Sequence, residues 1–108
     1  MPYEPLDLSF LMTPKMLAGI EEMKRVILSG YPEATFEVGY GEEPVGVYLR
    51  ATVDHEDLGE FVEYFIDRLV DLQLDEGLRL YVVPVRTPAR EREVRRKLEQ
   101  ENLLRAAS

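Results

Sequence analysis

His55 is the sole histidine of the 108 residues, and cysteine is absent. These two facts exclude a disulfide, a thiolate nucleophile, a zinc-thiolate site and a multi-histidine metal centre within one chain. His55 stands in the run Asp54-His55-Glu56-Asp57. An imidazole titrates near neutrality, so acid/base work is open to it. No recognisable motif sets a serine beside it, however, and a role in the cap of a following helix suits the same position. The glycines Gly39, Gly41 and Gly46 fail the dinucleotide fingerprint because Pro44 stands three residues after Gly41. They also join two strands, whereas a phosphate cradle leads from a strand into a helix. They read as turn chemistry. No cofactor is implied.

The most ordered charged pattern is acidic. Glu56, Glu60, Glu63, Asp67, Asp71 and Asp75 recur at spacings of three and four, which places them side by side on a helix, opposite an apolar face. A calcium loop needs oxygens converging around a turn, so a straight helical ladder is a poor metal site. It is either a solvated face or a landing surface for a basic partner. The basic counterpart lies at the C-terminus: Arg86, Arg90, Arg92, Arg95, Arg96, Lys97 and Arg105. Four glutamates interleave with them and no aromatic side chain is available for base stacking, which disfavours nucleic acid. A third candidate is the alternation around Tyr48, Arg50 and Tyr81, which would share one face of a sheet.

These side chains must be held by a fold, and the periodicities suggest one. Leu6, Leu8, Phe10 and Met12 alternate, predicting a strand over 6–12. Thr13-Pro14 is an N-cap followed by proline at the first helical position, and Gly30 closes that helix. Its apolar stripe is Met16, Leu17, Ile20, Met23, Ile27 and Leu28. Strands follow over about 34–40 and 45–53, joined by a Gly/Pro turn. The second has the cleanest alternation: Val45, Val47, Leu49, Ala51 and Val53 against Tyr48, Arg50 and Thr52. The run Asp54–Asp57 then opens what reads as the longest helix, with Asp54 and Asp57 as a capping pair and Gly77 as its stop. A strand over 78–85 carries Pro84, which lacks a donor and favours an edge. From Pro88 a charged helix is expected to pack poorly on its own chain.

The resulting order, β-α-β-β-α-β plus a C-terminal helix, predicts a ferredoxin-like α+β sandwich, two helices on one face of a four-stranded antiparallel sheet. The rival order omits the first strand and leaves α-β-β-α-β, as in compact RNA-binding domains of the second KH type. The expected division is a ferredoxin-like domain over 1–85 and a basic helical extension over 86–108.

Composition bounds the rest. The formal net charge is −8, divided between −11 for residues 1–85 and +3 for residues 86–108. An acidic body repels nucleic acid and anionic lipid at long range. No apolar run approaches the roughly 18 residues needed to span a bilayer, and no targeting segment is read at Met1–Met12. A cysteine-free acidic chain fits the cytoplasm. Asn occurs once and Gln twice, an amide-poor bias met in heat-adapted proteins.

Three functional readings follow. The leading one is a non-enzymatic interaction or regulatory module acting as a homodimer, or beside another protein. In it, Arg92, Arg95 and Arg96 of one chain meet Glu60, Glu63, Asp67 and Asp71 of the next. The second is a sensor of an anionic metabolite, with Tyr48, Arg50 and Tyr81 lining a seam between subunits. The third is an enzyme with few polar groups, built on His55 or Tyr48 near a carboxylate.

Overall fold

Residues 7–107 are described by the computed structural model. A short 3-10 turn, Ser9–Leu11, precedes α1 (Pro14–Gly30), β1 (Thr35–Glu42), β2 (Val45–Val53), α2 (Leu58–Asp75), β3 (Leu80–Arg86) and α3 (Pro88–Ala107). The sheet has three strands in the order β1-β2-β3. β1 and β2 form an antiparallel hairpin, and β2 pairs with β3 in parallel. The ferredoxin-like sandwich expected from the sequence is therefore not formed, and the element order is that of the rival.

The difference begins at the expected first strand, whose Leu6 lies outside the described residues, as does the start of the Met1–Met12 segment. The Asp7 side chain accepts a hydrogen bond from Ser9 N–H at 3.0 Å, a local bond that turns the backbone and competes with extension. Leu11 N–H then donates to Leu8 O and Met12 N–H to Ser9 O, each at 3.0 Å. Period two becomes period three: Leu8 and Leu11 are buried and Phe10 is exposed. Without a strand to separate them, β2 and β3 meet directly, in parallel, with α2 as the crossover.

Thr13 caps α1 as expected, its Oγ1 accepting from Met16 N–H at 3.1 Å, with Pro14 at the first turn. The start of α2 is shifted. Asp57 is the cap, its Oδ1 accepting from Glu60 N–H at 3.1 Å, while Asp54 turns away to Arg90. Gly77 ends α2 with φ +65°, a left-handed conformation natural to glycine. This brings Leu78 N–H to Leu72 O at 3.2 Å. At 20 residues α3 is longer than α2 at 18.

Both α1 and α2 lie on one face of the sheet. They run antiparallel, as the pairs Lys15–Glu76, Glu22–Arg68 and Ser29–Tyr64 show. Beneath them Val47, Leu49, Ala51 and Val53 of β2 are fully buried against Met23, Ile27, Phe61 and Phe65. Complete burial of each phenylalanine contributes about 2–3 kcal/mol. The α1 stripe is narrower than its sequence pattern, because Leu17 and Leu28 remain exposed on the flank away from α2. Pro84 sits in the edge strand β3, as anticipated.

The outline is extended. The radius of gyration is 17.4 Å, against roughly 13 Å for a compact chain of this length. The cause is α3, whose side chains from Arg95 to Ala106 are all exposed.

Candidate interaction surfaces

The strand register fixes what the uncovered face of the sheet displays. Arg50 is opposite Glu37 on β1, and Tyr48 is opposite Gly39 on one side and Tyr81 on the other. Tyr48, Arg50 and Tyr81 thus come together as the alternation predicts, with Val83 and Val85 beside them. The two tyrosine rings lean on each other with centroids 5.2 Å apart at 34°. The glycines explain how the rings lie flat: a side chain at Gly41 would collide with the Tyr48 ring, and one at Gly46 with the Tyr81 ring and the Arg79 carbonyl. Turn chemistry alone did not reveal this role; the signal available was Gly46 two residues before Tyr48, a spacing that puts both on one face of the strand.

Tyr48 Oη donates to Pro44 O at 2.6 Å. Partial burial, then the neighbouring Tyr81 and Glu43, raise its pKa above the ordinary 10.0. Glu37, Gly39, Gly41, Tyr48, Arg50 and Val83 line a shallow concavity of about 370 Å³. Arg50 lines it and enters no ion pair among the described residues.

On α2 the acidic residues divide. Glu60 Oε2 lies 3.5 Å from His55 Nε2, and Asp71 lies 3.8 Å from Arg68. Glu63, Asp67 and Asp75 are exposed and enter no ion pair among the described residues. Arg68, hidden within the acidic run, makes a two-pronged contact with Glu22 of α1 at 3.0 and 2.8 Å. That hydrogen bond raises the Arg68 pKa further. Arg68, the single cation in α2, was the sequence signal for this clamp.

The expected trio on α3 stands apart from the body. Arg95 approaches Glu91 of its own helix at 3.5 Å, and Arg92 and Arg96 are exposed and enter no ion pair among the described residues. Other cations fasten α3. Arg90 Nε donates to Asp54 Oδ1 at 2.8 Å and Lys97 Nζ to Glu56 Oε2 at 3.1 Å, while Arg86 of β3 donates from Nη1 to Glu91 Oε2 of α3 at 3.1 Å. The Asp54 hydrogen bond, reinforced by its charge and that of Glu93, raises the Arg90 pKa.

His55 completes this corner. Its ring stands edge-on to Tyr31 at 5.6 Å, and Tyr31 packs in the same way on Phe61 and Tyr64. Desolvation first, then Glu60, raises the Tyr31 pKa. Ser29 Oγ is engaged by Tyr64 Oη and Val26 O, each at 2.6 Å. His55 therefore faces an aromatic cluster and a carboxylate, and Ser29 serves the packing of α1 on α2.

Among the described residues no group of three or more His, Asp or Glu converges to hold a metal ion, and no helix is long and apolar enough to cross a membrane. Comparison with family models, with curated proteins and with solved structures finds no match to this chain.

Proposed function

We propose that this protein is a non-enzymatic interaction module that acts as a homodimer, α3 of each chain lying along α2 of the other. One observation carries the reading. Among the described residues, no ion pair answers Arg92 and Arg96 on the outer face of α3 or Glu63, Asp67 and Asp75 on α2. Rows of like charge weaken a helix unless something answers them. Arg92, Arg95 and Arg96 share one helical face, a turn apart, and all three are exposed. Exchange of such arms about a two-fold axis satisfies both helices at once. The acidic body and basic extension steer the encounter, and the association weakens with salt.

Light scattering tests this. Reversal of Arg92, Arg95 and Arg96 to Glu should convert a dimer at low salt to a monomer, and added reversal of Glu63 and Asp67 to Lys should restore it. A mass constant at one chain across a low-salt dilution series would sink the reading.

A second reading, a sensor of an anionic metabolite, is favoured by one specific feature: Arg50, unpaired in the concavity beside Tyr48. A thermal-shift screen with organic acids, nucleotides and amino acids addresses it. Stabilisation lost in Arg50→Ala supports the sensor, and a flat response throughout removes it.

A further inference from the structure

The two edges of the sheet are finished differently. On β3, Gln73 Nε2 of α2 donates to the Leu80 carbonyl at 2.7 Å, and Pro84 offers no N–H. That edge is guarded in two of the ways natural sheets use. Among the described residues β1 pairs only with β2, in unbroken register from Thr35↔Thr52 to Glu42↔Val45, with no bulge, proline or lysine. It stands at the end of the strand order, and six of its eight residues are exposed. A strand so regular and so bare is a template for another strand.

The side chains of β1 show what that strand would meet. Val38 and Tyr40 share the helix side with Leu49 and Val47 of β2. The β2 pair is 0% exposed, whereas Val38 is 43% and Tyr40 47% exposed. The helical layer therefore stops short of β1 and leaves an apolar shelf. The free flank of α1 continues it, for Leu17 and Leu28 lie on the side away from α2. On the opposite side of the sheet β1 shows Glu37, Gly39 and Gly41.

Charge then selects the occupant. Residues 31–49 contain Glu33, Glu37, Glu42 and Glu43 and no lysine or arginine. Among the described residues none of the four glutamates enters an ion pair. A second copy of β1 would bring two such acidic segments together, which is unfavourable.

We propose that the outer edge of β1 takes up an extended segment of another protein, added as a fourth strand. In this segment apolar residues alternate with Lys or Arg. Main-chain hydrogen bonds to β1 supply affinity, as in other cases of strand addition. Its apolar residues rest on Val38 and Tyr40, and its cations answer Glu37 and the glutamates at either end. This surface is separate from the α3–α2 contact, so a monomeric protein can still show it and a dimer can lack it.

The probe is a fluorescein-labelled peptide with the core Lys-Val-Lys-Val-Lys-Val, followed by anisotropy at low salt and by amide shifts of the full chain. Saturable binding is expected, with shifts centred on Thr35–Glu42. The Glu-Val-Glu-Val-Glu-Val peptide, and the lysine peptide N-methylated at alternate residues, should each bind at least about tenfold more weakly. Glu37→Lys, an exposed change whose fold is checked by circular dichroism, should weaken the lysine peptide similarly. Equal binding of the N-methylated peptide would show attraction to the acidic body alone and overturn the proposal. So would shifts confined to α2, or no saturable binding. If Val38→Lys instead abolishes self-association of the protein, a second copy occupies the edge and the proposal also falls.

Discussion

Two long helices of this chain, α2 and α3, are held by different forces. α2 lays Phe61, Phe65, Leu69 and Leu72 into the core and spends its charged residues on its outer surface. α3 has no such stripe; it is fastened at its first turns through Arg90 and Lys97, and its remaining length is exposed. Apolar burial is not screened by salt and cannot be rearranged without opening the core. Exposed ion pairs are weak, screened and exchangeable. One helix builds the fold, and the other is free to change neighbours.

The largest test of that contrast is Phe65→Ala. Loss of a buried ring between α2 and β2 should cost about 3–5 kcal/mol in urea unfolding, a large part of the stability of a domain this size. A cost under about 1 kcal/mol would show that α2 is not the anchor. Ending the chain at Thr87 should cost no more than about 1 kcal/mol, since α3 contributes mainly exposed pairs, and unfolding should stay cooperative. Salt sharpens the difference: at high ionic strength the amides of α3 should exchange faster while those of α2 are unchanged. Equal protection of the two helices would contradict the contrast.

The smallest effect is in alkaline pH. The Tyr31 pKa is raised by desolvation beside α2. A group whose folded pKa exceeds its unfolded value contributes stability that is complete below the unfolded pKa and is lost as pH rises through the folded one. The contacts of Tyr31 with Phe61 and Tyr64 should therefore weaken above pH 10.0, the ordinary tyrosine value. Arg90, with its pKa raised by Asp54, stays charged, so the α3 attachment should outlast them. Phenolate absorbance followed with helix-resolved exchange reads the order; release of α3 first would reverse it.

The sequence made the hairpin and both core helices legible because each carried a physical signature of its own. Thr13-Pro14 marked a helix start, the alternation of 45–53 marked a half-buried strand, and Gly77 marked a left-handed stop. It misled at Leu8-Ser9-Phe10-Leu11, where apolar residues at both two- and three-residue spacing fit a strand or a tight turn, and the Asp7 carboxylate decided for the turn. That single element then changed the sheet, since strand order is a property of what intervenes between β2 and β3 and not of either strand. The gathering of Tyr48, Arg50 and Tyr81 survived, because burial of Leu80 beside Val47 and Leu49 fixes the register that puts those positions together on the other face. The Glu22–Arg68 clamp and the Arg90–Asp54 attachment were not legible as pairs: each joins residues far apart in sequence, and charge patterning identifies candidates without matching them.

The parallel pairing of β2 with β3 also bears on how quickly the chain finds its fold. The β1–β2 hairpin closes over a short turn and can form early. β2 and β3 cannot align until α2 has folded between them, because Val47 must reach Leu80 across the whole of that helix. Closing so long a loop is entropically costly before any contact repays it. The β2–α2–β3 unit should therefore be the folding nucleus, with mutations at Leu49, Phe61 or Leu80 slowing refolding and those along α3 leaving the refolding rate untouched.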